Sequence, residues 1–153
     1  MCLSRGSGLR FVDDDLPHLL VRAAHAVSGG SEAELRRRGI TLPVWRVLAA
    51  LSDSPGAPTS RLAETCLFQQ PTMTKLLNRM ERNGLVRRHG DQHDRRIVHV
   101  ALTPEGEALA TDLMGVAQRY EADLLARHPR AAGIKEVLRD LIADRGRSPR
   151  PEG

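Results

Sequence analysis

Residues 69–99 carry seven lysines and arginines (Lys75, Arg79, Arg82, Arg87, Arg88, Arg95 and Arg96) against three acids, Glu81, Asp91 and Asp94. The surplus of four equals the net charge of the whole 153-residue chain, so everything outside this stretch sums to zero. Cations concentrated in this way suit a repeating anion, and a nucleic-acid backbone is the obvious one. A merely solvated charge run has the same composition, so the spacing has to decide.

The spacing separates two rows on one helix. Met73, Leu76, Leu77 and Met80 recur at the helical period and form an apolar stripe, while Thr72, Lys75, Arg79 and Arg82 form a second, polar one. A packed row beside an exposed cationic row lets a helix lie in a major groove. Gln70, Thr72 and Thr74 put short polar side chains in the first turn, the end that reaches base edges. Gly84 stops the helix, because glycine takes the left-handed conformation without a Cβ penalty. The period then changes to two: residues 85–89 and 97–102 read as strands, with Val98, Val100 and Leu102 on one face. Residues 90–96 between them are too polar to bury and suit a hairpin that holds cations near a minor groove.

Other elements must position this pair. Pro43 opens a helix in which Val44, Trp45, Val47, Leu48 and Leu51 face inward, ended by Pro55-Gly56. Thr59 or Ser60 is expected to cap a second helix whose inner residues are Leu62, Ala63 and Cys66. Residues 67–69 make the tight turn into the basic helix, which completes a helix-turn-helix. Upstream, a helix from Asp13 carries Leu16, Leu19, Leu20, Ala23 and Val27. The Gly29-Gly30 pair costs about 2 kcal/mol relative to alanines and predicts a kink or break before residues 32–38. Downstream, Thr103 and Pro104 restart a helix with Leu109, Leu113, Val116, Tyr120 and Leu124 inward, and Ile134, Val137, Leu138, Leu141 and Ile142 form a last stripe.

The fold expected is mainly α with a small β-hairpin wing: a winged helix-turn-helix over about residues 41–103, flanked by N- and C-terminal dimerisation helices at about 13–38 and 103–144. Residues 13–144 are read as one domain, 1–12 as a loose N-terminus and 145–153 as a disordered tail. Leaving the terminal stripes in water forfeits roughly 1.5–3 kcal/mol per large side chain. A homodimer through the first, fifth and sixth helices removes that cost and sets two recognition helices about 34 Å apart.

Composition bounds the remaining classes. Only 3% of residues are aromatic, and no apolar run is long enough to span a bilayer or to resemble a signal sequence. A cytoplasmic location with no membrane partner is expected. Cys2 and Cys66 are too few for a disulfide framework. His89, His93 and His99 lie around the wing without metal-ligand spacing and are expected to be solvated, so no metal is assigned. No phosphate loop, nucleophile elbow or cofactor motif is present, so neither an enzyme nor a cofactor is expected.

Four segments in order carry a resemblance: LPVWRVLAAL at 42–51, SRLAE at 60–64, PTMTKLLNRMERNGLVRR at 71–88 and DRRIVHVALTPEG at 94–106. Together they resemble the multiple antibiotic resistance regulator (MarR) family of transcription factors, over about residues 15–143. The resemblance implies a homodimer on a palindromic double-stranded DNA operator, usually repressing, and often released by a phenolic or other anionic small-molecule effector in a cleft between the dimer helices and the DNA-binding lobe. It assigns base reading to Gln70, Pro71, Thr72, Thr74 and Lys75, with Asn78 and Arg79 beyond. It makes Asp94, Arg95 and Arg96 the wing element, with Arg96 in the minor groove and Asp94 shaping the wing. The chain departs from the family in Asn78, where many members have aspartate, and in Gly29-Gly30 inside a usually continuous helix. Trp45, His18 and His25 are candidates for the effector cleft, although packing or surface roles fit the same spacing. Cys66 is a candidate redox thiol against the reading of a buried, inert one. An activator, a thiol-redox regulator, or a winged helix that binds protein are the alternatives on the same scaffold.

Overall fold

The computed structural model describes residues 14–144. Its elements are α1 (Leu16–Arg37), α2 (Leu42–Asp53), α3 (Thr59–Cys66), α4 (Gln70–Arg82), β1 (Val86–Gly90), β2 (Val98–Leu102), α5 (Pro104–Arg127) and α6 (Ala131–Asp144). They fall into two compact units that divide between Val116 and Ala117. The expected loose N-terminus (1–12) and disordered tail (145–153), and with them Cys2, lie outside the described residues.

Helix α1 starts at Asp15, whose carboxylate accepts the His18 amide at 3.1 Å, and runs unbroken through Gly29-Gly30 to Arg37. The expected break is therefore absent. A break would orphan the amides and carbonyls of two new helix ends, which costs more than two glycines in an otherwise propagating helix. Ser28 and Ser31 also donate their hydroxyls to carbonyls one turn back, those of His25 and Ser28. Gly39 ends the helix with φ +70°.

The core of the first unit is assembled from one face of every following element. Val44, Val47, Leu48 and Leu51 of α2, Leu62, Ala63 and Cys66 of α3, and Met73, Leu77 and Met80 of α4 are buried together with Val86, Val100 and Leu102 of the hairpin. Ala110 and Leu113 of α5 close it, and Trp45 packs half-buried at its edge. The cap of α3 differs from expectation: Pro58 holds the cap position and no side chain caps it. Thr59 instead donates its hydroxyl to the Val98 carbonyl at 3.2 Å, tying α3 to β2. In the turn that follows, Leu67 takes a left-handed conformation (φ 59°) and is 75% exposed.

The hairpin is antiparallel, with Val86 opposite Leu102 and His89 opposite His99. Its return is locked to the end of α4 by Thr103. The Thr103 hydroxyl donates to the Gly84 carbonyl at 2.5 Å and accepts the Gly106 amide at 3.0 Å, while the Thr103 amide donates to the Leu85 carbonyl at 3.1 Å. This is an N-cap that also bridges two chain segments. It brings α5 so close that a Cβ at Gly106 would overlap the Leu85 carbonyl oxygen. In the second unit, α6 buries none of its residues, and Lys135 pairs with Glu121 of α5.

Gly106→Ala should destabilise the chain by roughly 1–3 kcal/mol, because backbone must move to admit the methyl group. Urea denaturation checks this against Gly29→Ala, whose Cβ meets nothing within 4 Å and which should stabilise α1 by up to about 1 kcal/mol. Equal effects of the two would exclude the close approach as the cause.

Candidate nucleic-acid interface

Burial of Met73, Leu77 and Met80 turns the opposite side of α4 outward. Gln70, Pro71, Thr72, Thr74, Lys75, Asn78 and Arg79 are all exposed on it. Pro71 sits in the first turn, where its missing N–H costs nothing. Thr74 donates its hydroxyl back to the Gln70 carbonyl at 3.0 Å, leaving its methyl group and lone pairs outward. Among the described residues Lys75 and Arg79 form no ion pair, so both charges are available to an anion.

The wing is built around one carboxylate that the sequence reading did not single out. Asp91 Oδ1 accepts the amides of His93 and Asp94 at 2.8 and 3.0 Å, and its Oδ2 lies 2.9 Å from His99 Nε2. These donors hold its pKa well down, at about 2, with the His99 bond as the largest cause. Asp94 continues the turn by accepting the Arg96 amide at 2.9 Å, so it fixes backbone rather than a guanidinium. Arg95 and Arg96 project as exposed cations that form no ion pair among the described residues. His99 is not solvated as expected: it is bonded at both ring nitrogens, with Nδ1 2.8 Å from the Gly56 carbonyl. No group of three metal-ligating side chains occurs among the described residues.

Arg88 has a different role from its basic neighbours. Its guanidinium and amide bind Glu81 of α4 at 2.5 to 3.2 Å, which holds the Glu81 carboxyl below its usual range. The pair clamps β1 to the recognition helix. Between helix and wing lies a groove of about 350 Å³ lined by Ser60, Gln70, Thr74, Arg88, Arg96 and Ile97 among others. Arg88 and Ser60 were missed from the sequence because they lie on β1 and α3, and only the packing of those elements against α4 brings them to the same groove as Gln70.

The remaining candidates are scattered. Trp45 and Cys66 line a shallow cleft with Arg46, Asp53, Thr65 and Leu67. His18 and His25 are exposed on α1 and neither lines that cleft. Cys66 is buried, and burial pushes its thiol pKa up despite the nearby Arg46 charge.

Residues 38–97 match the model of the MarR family. The chain is 34% identical over 134 residues to the homoprotocatechuate degradative operon repressor of Escherichia coli, covering 85% of this chain and 89% of that one. Its structure is similar to that of a MarR family transcriptional regulator from Silicibacter pomeroyi, with TM-score 0.81, 36% identity, and 88% and 98% of the two chains covered. It is also similar to a Mycobacterium tuberculosis MarR family protein in complex with salicylic acid, with TM-score 0.67, 31% identity, and 84% and 97% covered.

The Asp91 network predicts an acid transition in the wing. Because the Asp91 pKa is depressed in the folded chain, its stabilisation is present above about 3.8 and lost as the pH falls towards about 2. Asp91→Ala should therefore increase amide exchange at His93 and Asp94 at pH near 5, and the difference from the parent chain should vanish at the acid end. A difference that persists there would exclude the carboxylate as the organiser.

Proposed function

The chain belongs to the MarR family of transcriptional regulators, a DNA-binding winged helix-turn-helix fold, and from that premise we propose that it acts as a homodimeric repressor released by a small aromatic acid. The observation that carries the DNA-binding assignment is the pairing of one fully buried face of α4 with an outward face of base-reading and cationic side chains. Gln70, Pro71, Thr72, Thr74 and Lys75 read the major groove, with Asn78 and Arg79 following the backbone. Arg96, assisted by Arg95, enters the adjacent minor groove, where narrow width strengthens the field that attracts guanidinium groups. Asp94 and Asp91 hold the wing backbone for it.

Exposed apolar side chains support dimerisation. On α1 Leu16, Leu19, Leu20, Val21 and Val27 face solvent in the single chain, and on α6 Ile134, Val137, Leu141 and Ile142 do so, Ile142 at 73%. Apolar rows of that size are interaction surfaces on a soluble protein. A two-fold axis through α1, α5 and α6 then matches a palindromic operator. Repression follows the naming of the Escherichia coli relative, and an aromatic acid as effector follows the salicylic acid held by the Mycobacterium tuberculosis relative. Of the three candidates, Trp45 is the residue proposed to face it, since His18 and His25 do not line the cleft beside Trp45. Among the described residues no helix is long and apolar enough to cross a membrane, which accords with a cytoplasmic regulator. A redox mechanism through Cys66 is disfavoured by the burial that keeps the thiol protonated.

Binding to a fragment of the chain's own upstream DNA tests the proposal. The parent chain should bind with steep salt dependence, and Arg96→Ala should weaken binding and reduce the log–log salt slope by roughly 0.9 for the phosphate or groove charge lost. Absence of binding at any salt would replace the DNA reading with a protein-binding winged helix. Salicylate should release the bound DNA and alter the fluorescence of Trp45, the one tryptophan in the chain. Release without a fluorescence change would move the effector away from Trp45.

A further inference from the structure

His99 stands apart from the other wing histidines because its two ring nitrogens face two different parts of the fold. Nδ1 is 2.8 Å from the Gly56 carbonyl in the turn between α2 and α3, and Nε2 is 2.9 Å from Asp91 Oδ2 in the wing. A carbonyl and a carboxylate can only accept, so each contact is a hydrogen bond only when that ring nitrogen carries a proton. Both can form together only in the imidazolium. Asp91 is in turn bonded to the amides that lead into Asp94 and Arg96. The ring therefore connects the body of the domain to the segment that carries the wing arginines.

We propose that His99 is a positioning residue for DNA recognition: doubly protonated, it latches the wing to the α2–α3 turn, and loss of one ring proton frees one end and weakens operator binding. This rests on the DNA-binding reading given above.

The backbone shows what the side chain adds. Strand β2 is already held at the α2–α3 turn, through a bridge between Pro58 and His99 and a bond from the Val100 amide to the Ala57 carbonyl at 3.0 Å. That contact fixes the start of β2; the wing turn before it is closed by its own backbone bonds and is tied to the body of the domain through Asp91 and His99. The groups facing the ring are Asp91 from the wing turn, His89 of β1, stacked at 5.4 Å between ring centroids, and the Gly56 carbonyl. Asp91 is the charged partner in this set.

The direction with pH follows from the same bonds. The Asp91 bond, then the Gly56 carbonyl, raise the His99 pKa above its ordinary 6.5. A raised histidine contributes fully below 6.5 and loses its contribution as the pH rises through its folded-state value. Asp91 stays ionised down to about 2, so His99 is the member of the pair that changes charge as the pH rises. The latch is closed below 6.5 and opens as the pH rises through the raised His99 value.

Operator binding measured at constant ionic strength over roughly pH 5.5 to 8.5, the histidine range, tests this with the parent chain, His99→Gln and Asp91→Asn. The parent should lose affinity by roughly tenfold across the range, the scale of one hydrogen bond to a charged group. Both variants should bind weakly at the acid end and lose most of that pH dependence. Imidazole nitrogen shifts of His99 in the parent chain should report two protonated nitrogens at the acid end. A pH profile shared by the parent and a folded variant would overturn the latch while leaving the DNA-binding reading intact, as would a neutral ring at the acid end. If no DNA is bound at any pH, both fail together.

Discussion

The complete desolvation of Met73, Leu77 and Met80 is the constraint from which the interface follows. Each of these side chains contributes roughly 1.5–3 kcal/mol when buried. Rotating α4 by one residue, about 100°, would expose them and drive Thr74 and Asn78, or Thr72 and Arg79, toward the core. The rotation of the helix is therefore fixed by its apolar side, and the outward placement of Gln70, Thr72, Lys75 and Arg79 is the geometric remainder. The Arg88–Glu81 clamp and the Thr103 bridge then set where the hairpin stands relative to that helix. Specific contact with a double helix needs both parts at a defined separation, and these few bonds supply it.

The parts of this arrangement that depend on chain-local rules were legible in the sequence. The 3.6-residue stripe of α4, the stop at Gly84, the alternation of Val98, Val100 and Leu102, and the helix restart at Thr103-Pro104 all depend on neighbours a few residues away. The family resemblance carried the residue assignments further than spacing alone could. What escaped was set by contacts across the chain. His99 meets a carbonyl 43 residues away, and no periodicity marks a residue whose partner is backbone. Thr59 looked like a cap because a threonine before a helix usually is one, but the nearby Val98 carbonyl took its hydroxyl. Gly29-Gly30 misled in the opposite sense. Local propensity argued for a break, whereas cooperative propagation through a 22-residue helix decided the outcome.

Charge on this surface is divided between two uses. Arg88 is committed to Glu81, and Asp91 and Asp94 are committed to backbone amides and to His99. The acids in the basic stretch thus organise the scaffold. Lys75, Arg79, Arg95 and Arg96 are left as exposed charge without an ion-pair partner among the described residues, so they can meet an external anion without first breaking a salt bridge.

Leu67 has an implication for what brings α3 and α4 together. A non-glycine residue in the left-handed region costs about 1–2 kcal/mol, and with its side chain 75% exposed it recovers little through packing. The turn therefore does not drive α3 and α4 together; the buried faces of the two helices do, and the turn adopts whatever backbone that docking demands. A glycine at this position would relieve the strain in the native state, offset in part by the greater freedom it gives the unfolded chain.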